Sequence, residues 1–108
     1  MKIYISIPIT GHDLQEQTAK AEKLAAVIRT LGHEPVSPFD TPAAPSHLTE
    51  QEAYSYYIGC DLEQLLLCDG AYFVRGWERS RGCNIEHEAA VIYELRIFHK
   101  LDQIPEAQ

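Results

Sequence analysis

Positive charge is scarce in this chain. Nine Lys and Arg stand against sixteen Asp and Glu, a formal net charge of −7. So acidic a surface repels nucleic-acid backbones over the distances at which binding begins, which argues against DNA or RNA as partners. A small anion such as a nucleotide is a different matter, because one helix N-terminus and one or two arginines hold it locally. Cysteine is sparse too. Cys60, Cys68 and Cys83 are odd in number and form no C-x-x-C pair, which argues against a disulfide framework or a zinc knuckle. Reduced thiols in a cytoplasmic protein are the expectation. No apolar run approaches the roughly 20 residues of a membrane span, and MKIYISIPITG is too short and too strand-like for a signal peptide. The phosphate-binding G-x-x-x-x-G-K-[ST], the dinucleotide G-x-G-x-x-G and the hydrolase elbow G-x-S-x-G are all missing, which disfavours an NTPase, a dinucleotide enzyme and a serine hydrolase. His33, His47, His87 and His99 show no metal-ligand spacing, so neither metal nor cofactor is expected.

What is present reads as one domain over residues 1–108, with ordinary proportions of apolar (45%) and charged (23%) residues. KIYISIP at 2–8 has the β-branched and aromatic content of a buried strand. Asp13 with Glu16 forms an acidic capping box for a helix that Gly32 ends. HEPVS at 33–37 predicts a second strand, and Pro35 disfavours a central place for it. Residues 38–48 carry three prolines and predict a loop long enough to cover a site. Thr49 and Glu52 open a helix over about 50–67. GAYFVR at 70–75 predicts a third strand, 76–82 a loop, and 83–99 a last helix. The tail LDQIPEAQ reads as a short edge strand or a frayed end. This alternation predicts an α/β fold: a small three-layer domain, Rossmann-like or flavodoxin-like, with a parallel sheet of about three to five strands. Ligands of such sheets sit at the C-terminal strand ends, here residues 8–12, the proline loop and 76–82.

Two carboxylates fall on apolar helix faces. At 100° per residue Glu86 lies within a stripe of Ile85, Ala89, Ala90, Ile92, Tyr93 and Ile97. Asp61 lies on a face with Tyr54, Ile58, Leu62 and Leu65. Each is either a hydrogen-bonded structural carboxylate or a reacting one. Two inward carboxylates at one sheet edge are what cleavage of a glycosidic bond needs. Ser80, Arg81 and Gly82 at a helix start make a small anion site, to which Arg79 or Arg81 adds charge. Asp69 reads as a turn cap. Trp77 reads as packing rather than stacking on a base, and His12 as a solvated loop residue. Tyr54, Tyr56, Tyr57 and Tyr72 read mainly as core or interface.

KIYISIPITG, DLEQLLLCD (61–69) and GWERSRGCNIEHEA, in that order and spacing, resemble the nucleoside 2-deoxyribosyltransferase-like superfamily over nearly the whole chain. The resemblance implies cleavage or transfer at the N-glycosidic bond of a nucleoside or nucleoside 5′-monophosphate. It casts Glu86 as nucleophile, Asp61 as the group that protonates or orients the base, and Tyr4 as the group that orients Glu86. Ser80, Arg81 and Gly82 would bind the 5′ end of the sugar, and Pro8 and Ile9 would border it. Ile7 departs from the pattern, since the superfamily usually has glycine there, and the stretch after residue 99 is short for it. The alternative is a nucleotide-binding sensor or sequestering protein with the same pocket. Superfamily sites often lie near subunit interfaces, which implies a homo-oligomer, a dimer or higher, with the tyrosine-rich second helix as its face.

Overall fold

The computed structural model describes residues 1–108. KIYIS forms the first strand, β1 (Lys2–Ser6), which is buried from Ile3 to Ser6. It pairs in parallel with β2 (Glu34–Val36) on one side and β3 (Gly70–Phe73) on the other. β3 in turn pairs in parallel with β4 (Arg96–Phe98). The sheet order is β2-β1-β3-β4. β2 is therefore an edge strand, as the missing N–H of Pro35 requires. Three helices fill the crossovers: α1 (Leu14–Thr30), α2 (Glu50–Leu66) and α3 (Arg81–Ile92).

Strand alternation sorts the two faces. Ile3, Ile5 and Ile7 meet Ala25 and Ile28 of α1. Tyr4 with Ala71 and Phe73 meets Leu65 of α2 and Ala90 of α3. Three layers result, with the two helices that carry the candidate carboxylates on the same face. No helix is long and apolar enough to cross a membrane.

The last helix differs from the expectation over 83–99. It ends at Ile92, and Arg96–Phe98 is a strand. The Glu94 amide donates to the Val91 carbonyl and the Leu95 amide to the Ala90 carbonyl, which is a Schellman termination. Glu94 holds the left-handed position with φ 57°. α1 ends by the same pair of bonds, Gly32 to Arg29 and His33 to Ile28, with Gly32 at φ +89°. The tail is neither an edge strand nor frayed. It makes a 3-10 turn at Leu101–Gln103, buries Ile104 in the α1-side core, and donates the Ala107 amide to the Leu31 carbonyl.

A non-glycine residue in the left-handed region costs about 1 kcal/mol. Glu94→Gly is expected to stabilise the fold by about that amount, read as a later midpoint in urea unfolding. An earlier midpoint would contradict the helix end described here.

Candidate active site

Ser80 begins the site. It caps α3, its Oγ accepting from the Cys83 amide at 3.2 Å. The buried residues of the helix are Cys83, Glu86 and Ala90, at the i, i+3, i+7 spacing of a single face. This corrects the expected stripe. Ile85, Ile92 and Tyr93 are exposed (42%, 63% and 64%), and Ile97 belongs to β4. Small side chains let α3 sit close on the sheet, so its bulky residues point away. Glu86 is nevertheless inward, because it shares the face of Cys83 and Ala90.

Glu86 is 5% exposed. The Tyr4 hydroxyl donates to its Oε2 at 2.6 Å and the Ser6 hydroxyl to its Oε1 at 2.7 Å. Burial pushes its carboxyl up to about 7, against the opposing pull of these two hydrogen bonds, and the nearby Asp61 charge pushes the same way as burial. Burial, with Glu86 beside it, likewise holds the Tyr4 phenol well above its usual value, so it remains a donor.

Asp61 on α2 forms the opposite wall. The Thr41 hydroxyl donates to its Oδ1 at 3.1 Å. Burial pushes its carboxyl up to about 6, and the Thr41 bond opposes that. One turn earlier, the Tyr57 hydroxyl accepts from the Ala44 amide at 2.8 Å. These two bonds strap the proline loop to α2.

A cleft of about 580 Å³ lies between the walls. At its α3 end stand Arg79, Ser80, Arg81 and Gly82. The first amides of a helix have no intrahelical acceptor. Ser80 satisfies that of Cys83, and the Arg81 and Gly82 amides face the cleft end without a protein acceptor. The Asn84 side chain donates to the carbonyls of Glu78 (2.9 Å) and Ser80 (2.8 Å), fixing the turn that presents them.

Of the residues singled out from sequence, Tyr4, Asp61, Ser80, Arg81, Gly82, Glu86 and Ile9 line this one cleft. Pro8 does not; its carbonyl accepts from Gln17 Nε2 and anchors α1. Ile7 does line it, and is 4% exposed. Tyr54 and Tyr57 are walls of the cleft rather than core, whereas Tyr72 is core. Trp77 lies outside, stacked on His87 with ring centroids 4.1 Å apart. His12 is an exposed loop residue. Asp69 accepts from the Lys2 amide at 2.8 Å, a structural bond. Ser6 and Thr41 were not anticipated. For Ser6 there was a signal: a hydroxyl two residues after Tyr4 in an otherwise apolar strand shares its face.

This fold is shared with known enzymes. A 2-deoxyribosyltransferase from the psychrotolerant bacterium Bacillus psychrosaccharolyticus has TM-score 0.68 at 23% identity, over 90% of this chain and 69% of that one. A 2-deoxyribosyltransferase from Leishmania mexicana has TM-score 0.66 at 18% identity, over 89% and 61%. The CMP N-glycosidase BcmB of Clostridium botulinum has TM-score 0.55 at 14% identity, over 100% and 86%. The chain thus shares its fold with these two 2-deoxyribosyltransferases and this CMP N-glycosidase, consistent with the resemblance in the sequence. The chain belongs to the family described as Domain of unknown function (DUF4406), whose model matches residues 1–99. No curated protein matches it.

Because the folded carboxyl of Glu86 stands near 7 and an unfolded one near 4.5, the native state binds the extra proton between those values. Stability is therefore expected to fall as pH rises from about 4.5 to about 7 and then to level off. The Glu86 share of that fall is about 3 kcal/mol. Glu86→Gln is expected to remove this share in urea melts across pH. An unchanged pH profile in the variant would contradict the burial of charge.

Proposed function

We propose that this protein cleaves, or transfers across, the N-glycosidic bond of a nucleoside or nucleoside 5′-monophosphate, with Glu86 as the nucleophile. The observation that carries the reading is a buried carboxylate, held by two hydroxyls and no cation, facing a second carboxyl across a cleft with a cationic end. The fold likeness to two 2-deoxyribosyltransferases and a CMP N-glycosidase supports the same chemistry.

In this reading Tyr4 and Ser6 fix the Glu86 carboxylate toward C1′ of the sugar. A Glu86 oxygen bonds C1′ as the C1′–N bond breaks, and that bond's electrons leave with the base. Asp61, protonated, delivers a proton to the departing base. Water or a second base then attacks C1′, gives its proton to Asp61, and returns Glu86 as carboxylate. Ser80, the Arg81 and Gly82 amides and the guanidiniums of Arg79 and Arg81 take the 5′ phosphate or hydroxyl. Ile9 borders the sugar. Self-association as a dimer or higher belongs to the same proposal, supported by the exposed Val91, Ile92 and Tyr93 at the end of α3, and so does a cytoplasmic setting, supported by three free thiols.

One observation favours a second reading. Ile7 puts a branched side chain on the cleft wall where the superfamily usually has glycine, which suits a protein that binds a nucleotide without cleaving it.

Incubation with a panel of ribo- and deoxyribonucleosides and their 5′-monophosphates separates the two. Free base is expected from at least one, with Glu86→Ala slower by a factor of about 10³ or more. Nucleotide-induced thermal stabilisation without any base release would select the second reading.

The pH profile is a further test. The productive form has Glu86 ionised and Asp61 protonated, so kcat/KM is expected to be bell-shaped and centred between about 6 and about 7, the values of the pair. Asp61→Asn is expected to lower the rate by a factor of about 10² and to abolish the alkaline limb, leaving a rise with pH. An alkaline limb that survives in Asp61→Asn would remove Asp61 as the acid.

A further inference from the structure

One end of the cleft is defined by charge, and the helical geometry of α2 then defines the other. Ile58 belongs to the α3 end: a Cβ placed on Gly82 would lie 3.5 Å from its Cδ1. The Arg81 guanidinium sits over the Tyr54 ring, 5.9 Å from its centroid, at that same end. Tyr57 precedes Ile58 by one residue and so lies 100° around the helix from it. It leans toward the proline loop, where its oxygen accepts from the Ala44 amide. Asp61 lies between the two directions, three residues after Ile58 and four after Tyr57. A ligand with its anion at Ser80–Gly82 and its reacting carbon at Glu86 therefore puts its remaining end against Tyr57, Thr41 and Ala43.

On that side the polar groups are few. Thr41 donates its hydrogen to Asp61. The Tyr57 oxygen accepts one hydrogen bond, and its own O–H has no acceptor among the protein's hydrogen bonds, in a side chain 37% exposed on the cleft wall. A phenol has one hydrogen to give. Its ring also offers a flat apolar face to a heteroaromatic group.

Resting on the function proposed above, we infer that Tyr57 is a specificity-determining residue that reads the nucleobase, donating its free O–H to an acceptor on the base edge beside Asp61. The Ala44 amide occupies one lone pair of the phenol oxygen, and the O–H remains free to donate. Bases that place a ring nitrogen or carbonyl oxygen there bind well. Bases that place an N–H there leave the donor opposed and bind less well.

The test uses the full chain carrying Glu86→Gln, which retains ligands uncleaved. Dissociation constants of CMP, UMP, AMP, GMP and ribose 5-phosphate are measured by calorimetry, with and without Tyr57→Phe. The expected result is a roughly tenfold weakening of the best-bound monophosphate, about 1.4 kcal/mol. The spread among the four bases narrows, and ribose 5-phosphate changes by less than about twofold. Equal weakening of all five ligands, no change in any, or no monophosphate binding at all overturns the inference. Ala44→Pro guards against a loop effect, since it removes the amide that Tyr57 accepts but leaves the phenol. It is expected to preserve the ranking of bases. If it reproduces the Tyr57→Phe pattern, the phenol acts only by holding the loop and the inference fails. Base release by the otherwise unaltered chain is followed in parallel. Base-dependent binding that Tyr57→Phe weakens, with no release, defeats the proposed reaction and leaves the inference standing.

Discussion

The hydrogen bonds from Tyr4 and Ser6 to Glu86 are the interaction on which the rest of the site depends. They join the first strand to the last helix across 82 and 80 residues of sequence. A carboxylate taken out of water is costly unless hydrogen bonds replace its hydration. Here two hydroxyls, spaced by the period of a strand, each reach one oxygen. Every buried side-chain polar atom in the protein has a partner, so the residual expense is the burial of charge itself. It appears as a carboxyl held near 7. Such a group gains from anything that draws its charge away, and a developing positive centre at C1′ is one such thing in the proposed reaction.

Topology supplies the location. In a β2-β1-β3-β4 order the connections diverge from β1, so the crevice opens at the C-terminal ends of β1 and β3. Ser6 ends β1 and Tyr4 lies two residues before it on the same face, and the 77–80 turn after β3 delivers the start of α3. The arginines and free amides of that start make a cationic end in a chain of net charge −7. The surrounding acidic surface disfavours large polyanions, and the proposed site is suited to a small one.

Local signals were the legible ones. Capping residues Asp13 and Thr49 stand where helices begin, and Gly32 stands where one ends, whereas α3 begins at Arg81 with Ser80 as its cap, two residues before the expected start at 83. The last helix was misread because its left-handed stop is Glu94 rather than glycine, and Ile97 continues the apolar rhythm past it. The stripe drawn through Ile85, Ile92 and Tyr93 was rotated for a related reason. Hydrophobicity marks buried faces, but α3 packs through Cys83 and Ala90, whose small size permits close approach. Glu86 stood out because Ala89 and Ala90 belong to both versions of the stripe. Asp61 was legible because Leu65, on its face, is buried and Tyr54 and Ile58 line the cleft beside it. The straps from Thr41 and Ala44 to α2 span 20 and 13 residues with no local pattern, and only the folded chain brings them together. Pro8 matched the resemblance but does not line the cleft.

Glu86 is a buried, hydroxyl-held carboxylate poised between its two protonation states. Titration of its side-chain carboxyl carbon by NMR, assigned by loss of the signal in Glu86→Gln, measures this directly. A midpoint near 7 is expected, moving higher in Tyr4→Phe as one of the two donors to the ionised form is lost. A midpoint near the ordinary 4.5, unmoved by Tyr4→Phe, would contradict it.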